Sequence, residues 1–317
     1  MARSIRVGKV FKALNKGAST DEADLPWDAD SSHEPLAGDS SLPEAEPAGL
    51  TDHQAPPTPP LPPSQAIPPP FRENLDTGAM VDNWNERLVA ALGTASAPAE
   101  ELRRLRTSIL HPPAGKKPAR TILVTSAMPE EGKTFICAGL AVTLAQGVKE
   151  HALLVDCDLR RPLLGEMFGL ANDQGLVDHL ARGVDLGRLI RKVGHPKLSV
   201  IPSGPPPVNP AELLGSERLL TMINEVAERY ADRYIIFDSP PLLKAAETAI
   251  LAKHLDGVVL VVREGGARRE DIQQLVETIG PEKIIGVVFN AYQTNVLERK
   301  IYGSPSDYYS SHRQNNG

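Results

Sequence analysis

From Arg120 onward, short runs of β-branched and aliphatic residues alternate with stretches of helical period, and this alternation leaves few architectures open. The strand-like runs are Thr121–Thr125, Ala152–Asp156, Leu198–Ile201, Tyr234–Asp238, Val258–Val262 and Ile284–Phe289. Several are apolar throughout, the pattern of strands buried on both faces. Between them lie helix-like stretches at Lys133–Gln146, Leu176–Ala181, Glu217–Arg229, Glu247–His254 and Arg268–Ile279. The succession predicts an α/β domain with a doubly wound, mostly parallel sheet, helices on both faces and right-handed crossovers. In such folds ligands sit at the carboxyl ends of the strands.

Three polar motifs fall at those ends. In Thr121–Thr134 a strand runs into Ala127-Met128-Pro129-Glu130-Glu131, and Gly132-Lys133-Thr134 opens a helix. This P-loop arrangement suits a nucleoside triphosphate. Backbone N–H groups cradle the phosphates, Lys133 reaches the β and γ oxygens, and Thr134 ligates Mg²⁺. The full G-x-x-x-x-G-K-[ST] pattern places glycine where this chain has Ala127. In Leu153–Pro162, Asp156 and Asp158 end a strand, followed by Arg160 and Arg161. Two carboxylates two residues apart point to one side of an extended chain. They can share a metal, or one can accept a proton while the other helps hold Mg²⁺; a turn with Arg-paired acids is the plainer alternative. In Tyr234–Pro241 three apolar residues end in Asp238, placed to hold a Mg²⁺-bound water. Val200–Ser216 reads as a rigid rim loop or a rigid connector. Asn290 ends the last strand, where it can reach a purine edge or simply terminate the strand.

The rest of the chain is of another kind. Residues 18–75 hold 13 of the 29 prolines and carry a net charge of −10. So polar and proline-rich a segment cannot bury enough apolar surface to offset its ordering entropy and is expected to be a disordered tether. Residues 1–17 carry +5, and Val7, Val10, Phe11 and Leu14 follow helical spacing. A basic amphipathic helix able to touch an anionic membrane or a partner's groove is expected there, with a frayed terminus as the alternative. Residues 76–118 are expected to form a helical lead-in, 119–292 the nucleotide-binding domain and 293–317 a flexible tail. A net −6 argues against a generally basic nucleic-acid binder, though not against a local basic patch, and the acidity belongs to the tether. Cys137 and Cys157 make neither a disulfide framework nor a zinc site, so a reducing compartment is expected. No apolar run approaches the ~20 residues of a membrane span, and the N-terminus lacks the apolar stretch of a secretory signal.

Together, Ser126–Thr134, Leu153–Pro162, Ile235–Pro241, Pro202–Leu214 and Gly286–Asn290 resemble the bacterial tyrosine kinases of polysaccharide synthesis, the BY-kinases. The resemblance spans roughly residues 96–292. The family's P-loop usually reads P-G-E-G-K; here Glu130 takes the place of that glycine, which tolerates positive φ. Partition and division-site ATPases carry an extra lysine where this chain has Met128, and iron–sulfur carriers need a Cys pair that this chain lacks. The resemblance implies ATP and Mg²⁺, a metal held by Thr134, Asp158 and Asp238, and Asp156 as acceptor of the phenol proton. It implies self-association through Glu100, Arg103 and Arg106 (E-x-x-R-x-x-R), and trans-autophosphorylation of Tyr302, Tyr308 and Tyr309 in the tail. The implied partners are further copies in a ring-like homo-oligomer, a membrane polysaccharide co-polymerase as activator, and a phosphotyrosine phosphatase. The implied place is the inner face of the cytoplasmic membrane. An ATP-switched positioning protein without kinase activity is the alternative, and an interaction module with a degraded P-loop a third reading.

Overall fold

The computed structural model describes residues 4–7, 83–93 and 96–292. Contacts divide the chain into one unit of residues 1–15 with 74–317 and another of residues 16–73; every described residue belongs to the first. The expected tether and tail, with Tyr302, Tyr308 and Tyr309, lie outside the described residues.

One sheet of eight strands organises this unit. The strands are β1 (Ser4–Val7), β2 (Thr121–Ser126), β3 (His151–Asp156), β4 (Arg191–Lys192), β5 (Leu198–Ile201), β6 (Arg233–Asp238), β7 (Gly257–Arg263) and β8 (Ile284–Tyr292). Their order is β1-β8-β7-β2-β6-β3-β5-β4. The inner pairings are parallel, while β1 and β4 add antiparallel edges. The helices are α1 (Glu86–Ala91), α2 (Ala97–Leu110), α3 (Lys133–Ala145), α4 (Leu164–Met167), α5 (Leu176–Arg182), α6 (Leu186–Leu189), α7 (Pro210–Leu214), α8 (Glu217–Arg229), α9 (Ala246–His254) and α10 (Arg269–Ile279). The six strands read from apolar runs are all present.

Strand side chains alternate between faces, so each inner strand feeds two cores. Leu123, Leu153, Val155, Ile235 and Phe237 join the cluster under α5, α8, α9 and α10. Ile122, Val124, Leu154, Ile236 and Val259 join the cluster under α1, α2 and α3. All six residues of β2 are buried, which is why its sequence shows no polar alternation. Local chemistry sets the helix starts. Ser96 Oγ accepts the Ala99 amide 3.1 Å away, with Pro98 in the first turn of α2. The Ser216 hydroxyl caps α8 through the Leu219 amide at 3.3 Å.

The N-terminus corrects an expectation. Residues 4–7 do not join an amphipathic helix; they form β1, pairing antiparallel with β8 through Ser4↔Tyr292, Arg6↔Phe289 and Val7↔Val288. Ser-Ile-Arg-Val alternates polar with β-branched residues, a period of two that suits a strand. The edge of β8 supplies unpaired backbone groups for the strand to satisfy. Residues 8–17 lie outside the described residues. Within the expected lead-in, α1 spans Glu86–Ala91 and α2 Ala97–Leu110.

Candidate active site

The parallel strands β2, β3 and β6 lie side by side and end on one rim, which brings the three motifs together. After β2 the chain makes a tight loop. Ser126 Oγ donates to the Met128 carbonyl at 2.7 Å, Ala127 is fully buried, and Glu130 takes a left-handed φ of 63°. Glu130 thus adopts the conformation that the family's glycine would favour. Gly132 follows at φ 90° and starts α3. A Cβ on Gly132 would stand 2.1 Å from Asn290 Nδ2, so only glycine fits.

The loop is braced by Arg263, which the sequence did not mark, and by Glu131 and Asn290, which it marked for other roles. Glu131 is 1% exposed. Its Oε2 accepts the Met128 amide at 2.8 Å, and its Oε1 accepts the Arg263 and Ala267 amides at 3.3 Å each. Arg263 Nη1 donates to the Glu130 carbonyl at 3.0 Å, and Asn290 Nδ2 to the Glu131 carbonyl at 2.8 Å. The Glu131 side chain is therefore a strut between the P-loop and the loop after β7. Asn290 spends one of its two amide hydrogens on the Glu131 carbonyl of the same loop. The signal that sequence reading passed over was Arg263-Glu264-Gly265-Gly266-Ala267, a glycine turn after a strand.

The acidic residues meet at the start of α3. Lys133 Nζ lies 2.8 Å from Asp158 Oδ2, and both side chains are nearly buried. Asp156 and Asp238 face each other in register across β3 and β6. Asp156 is satisfied by backbone: Oδ1 accepts the Asp158 amide and Oδ2 the Leu164 amide, each at 3.1 Å. Burial, then the neighbouring Asp238, push its pKa well above the carboxylate range. Burial likewise raises Asp238 to about 6, against the pull of Lys133 and Thr134. Neither oxygen of Asp238 has a hydrogen bond of ordinary geometry, although the Thr134 hydroxyl is near enough to lower its pKa. For Lys133, burial favours the neutral amine, but Asp238, Asp158 and Asp156 outweigh it and raise its pKa. The result is a buried cation among three carboxyls, one of which, Asp238, has no hydrogen bond of ordinary geometry.

Beside this cluster lies a cleft of about 400 Å³. Pro129, Glu130, Gly132, Lys133 and Thr134 line one part of it; Asp158, Arg160, Arg161, Leu163, Met167, Pro240, Pro241 and Lys244 line others. Arg160 Nη2 is held by Glu247 at 2.7 Å. Ser239-Pro240-Pro241 is anchored by the Thr125 and Thr248 hydroxyls, each 3.2 Å from the Pro240 carbonyl. Val200–Ser216 contributes no lining residue; it runs from β5 into α7 and α8. Cys137 and Cys157 are fully buried, and burial raises both thiols, so neither is a nucleophile. Of the E-x-x-R-x-x-R residues, Glu100 and Arg103 pair with each other at 2.9 Å, while Arg106 Nη1 donates inward to the Thr143 carbonyl of α3 at 3.0 Å.

Comparison with known proteins fits this geometry. The family model for the CobQ/CobB/MinD/ParA nucleotide binding domain matches residues 122–304. The tyrosine-protein kinase YwqD of Bacillus subtilis (strain 168) is 34% identical over 224 residues, covering 70% of this chain and 93% of that protein. The tyrosine-protein kinase wzc of Salmonella typhimurium is 29% identical over 235 residues, 73% of this chain but only 32% of that protein. Among solved structures, the chimerical protein CapA2B2 superposes with a TM-score of 0.59 at 29% identity, over 67% of this chain and 92% of that one. The kinase domain of Escherichia coli tyrosine kinase ETK gives 0.58 at 28% identity, over 66% and 84%. A P-loop opening a helix, a lysine among strand-end aspartates, and these relatives place the chain in one group: it belongs to the bacterial tyrosine-protein kinases, within the CobQ/CobB/MinD/ParA nucleotide-binding family.

Proposed function

We propose that this tyrosine-protein kinase uses ATP to phosphorylate its own tail at Tyr302, Tyr308 and Tyr309 in trans, and thereby regulates synthesis or export of a polysaccharide. The observation that carries the nucleotide chemistry is Asp238: a fully buried carboxyl with two unpartnered oxygens, next to Thr134 and the Lys133–Asp158 pair. An orphaned buried carboxylate is costly unless something pairs with it. A hard divalent cation fits that need, and Thr134, Asp158 and Asp238 would hold Mg²⁺. Among the described residues no group of three His, Cys, Asp or Glu side chains suffices to hold a metal. That suits Mg²⁺, which binds through one or two carboxylates and completes its sphere with phosphate oxygens and water. When bound it would neutralise the charge on the transferring phosphoryl group.

The chain's own residues supply the rest. The amides of residues 130–134 at the N-terminus of α3 receive the phosphates, and Lys133 exchanges Asp158 for a phosphate oxygen. The phenol oxygen of a tail tyrosine attacks the γ-phosphorus; the bond to the leaving oxygen of ADP breaks. The phenol proton passes to Asp156, the carboxyl that the Asp158 and Leu164 amides hold in place. With a phenol pKa of ~10, positioning and charge neutralisation dominate the rate. Three phosphotyrosines add about −5 charges to the tail, which weakens its docking at an acidic site and loosens a ring of subunits joined through Glu100, Arg103 and Arg106. Among the described residues no helix is long and apolar enough to cross a membrane. In this reading a membrane co-polymerase acts as a separate activator at the inner face of the cytoplasmic membrane, and a phosphotyrosine phosphatase resets the tail.

Purified chain incubated with Mg-ATP should give phosphotyrosine that disappears in Lys133→Met and in the triple change of Tyr302, Tyr308 and Tyr309 to Phe. Persistent phosphorylation in Lys133→Met would refute the assignment. ATP hydrolysis without phosphotyrosine in the unaltered chain would favour the ATP-switched positioning protein instead.

A further inference from the structure

Between the aspartate motif and the rest of the domain lies the short segment 163–170, centred on α4, a helix of only four residues. So short a helix has no stability of its own and takes its position from what packs on it. On one side it reaches the catalytic cluster. The Leu164 amide donates to Asp156 Oδ2 at 3.1 Å, and Leu163 and Met167 line the cleft. On the other side it meets the residues just before α1. The Trp84 indole stands edge-on to Phe168, centroids 5.2 Å apart at 89°, and the Asn85 amide donates to the Met167 carbonyl at 3.0 Å. Gly169 has a left-handed φ of 67°, and a Cβ there would stand 2.6 Å from the Asn83 carbonyl oxygen. The backbones are in direct contact, with no room for a side chain between them.

We infer that Trp84 is a positioning residue for phosphoryl transfer: through Phe168 and α4 it fixes the Leu164 amide on Asp156 and the cleft wall made by Leu163 and Met167. The inference rests on the kinase reading and deepens it. Phe168 is 1% exposed and belongs to the same core as Leu88 of α1, so the segment is clamped between the sheet and the lead-in. Without the indole, the edge-on packing on Phe168 is lost and only the backbone contacts of Asn83 and Asn85 remain on that side. The P-loop is braced independently, by Glu131, Arg263 and Asn290, none of which touches segment 163–170 through a hydrogen bond. Loss of Trp84 should therefore separate nucleotide binding, which survives, from transfer to tyrosine, which suffers. The indole Nε1 is buried without a partner, so a phenyl ring can replace the indole without leaving a hydrogen bond unmade.

The test uses full-length chain as kinase and a full-length Lys133→Met chain, its tail intact, as acceptor. Single-turnover transfer from Mg-ATP and affinity for Mg-ADP are measured for the unaltered chain, Trp84→Ala and Trp84→Phe, with thermal melting to confirm folding. Trp84→Ala should transfer on the order of ten- to a hundredfold more slowly, the size of effect that a small misplacement of reacting groups produces. Its Mg-ADP affinity should stay within about twofold, and Trp84→Phe should recover most of the rate. Unchanged transfer in Trp84→Ala would overturn the proposal. So would a fall in transfer and nucleotide affinity together without recovery in Trp84→Phe, since the ring would then be plain core. An unaltered chain that leaves the acceptor unphosphorylated would overturn the kinase reading and this one with it, whereas the first two results overturn this one alone.

Discussion

Changing Asp238 to Asn should make the nucleotide-free protein less sensitive to rising pH while it destroys the site. Asp238 is fully buried, and burial holds its carboxyl at about 6 against an ordinary 3.8. An acid with a raised folded-state pKa contributes stability that is complete below the unfolded value and lost as pH rises through the folded one. From 3.8 to about 6 the loss is about 3 kcal/mol, and about 1.5 kcal/mol of it falls between pH 5 and pH 8. The amide does not titrate, so its own burial cost is the same at every pH and cancels from the slope. Removing the charge also relieves Asp156, for which Asp238 is the second-largest cause of a raised pKa, and that acts in the same direction. Urea unfolding in chelator at pH 5, 6, 7 and 8 gives the comparison. The unaltered protein should lose at least about 1.5 kcal/mol more than Asp238→Asn across that range. Parallel pH profiles would refute the reasoning, because Asp238 would then not be a carboxyl held at a cost in the folded state.

Two further substitutions probe the loop itself. In Gly132→Ala the added Cβ would stand 2.1 Å from Asn290 Nδ2 at a φ of 90°, so Asn290 must give up its bond to the Glu131 carbonyl. Calorimetry should show ATP affinity reduced by about tenfold or more, the effect of about 1.4 kcal/mol; affinity within about twofold of the original would refute the requirement for glycine. Glu130→Gly relieves a left-handed backbone worth about 1–2 kcal/mol in a residue with a Cβ, against about 0.5–1 kcal/mol of extra chain entropy. Urea unfolding should show stability unchanged or raised by up to about 1 kcal/mol, and a fall of about 1 kcal/mol would show that the Glu130 side chain contributes something its backbone does not reveal.

Much of this protein is local, and the local part is legible in the chain. Apolar runs at β2, β3, β5, β6, β7 and β8 state that strands are buried on both faces, and helical period between them states that they run parallel. Strand-loop-Gly132-Lys133-Thr134 announces its chemistry because the phosphate site consists of consecutive backbone groups. Asp156, Asp158 and Asp238 are marked by their place at strand ends. What the period cannot state is the partner. Of the helix expected over residues 1–17, residues 4–7 form β1 instead, because an edge of β8, at the far end of the chain, offers backbone hydrogen bonds that an isolated helix of that length could not match. Asp238 raises the pKa of Asp156 only because β3 and β6 pair in register. Glu131 looks like one more P-loop residue until the loop after β7 supplies its donors; Arg106 looks like an outward charge until α3 supplies a carbonyl. Trp84 has no motif around it and gains its place only against Phe168. Sequence alone determined the six long strands, their order along the chain and the phosphate-loop pattern of Gly132-Lys133-Thr134, because these follow from neighbours along the chain. Tertiary structure decided which carboxyl is orphaned, which is satisfied and what braces the loop, because hydrogen bonds and desolvation are settled by neighbours in space.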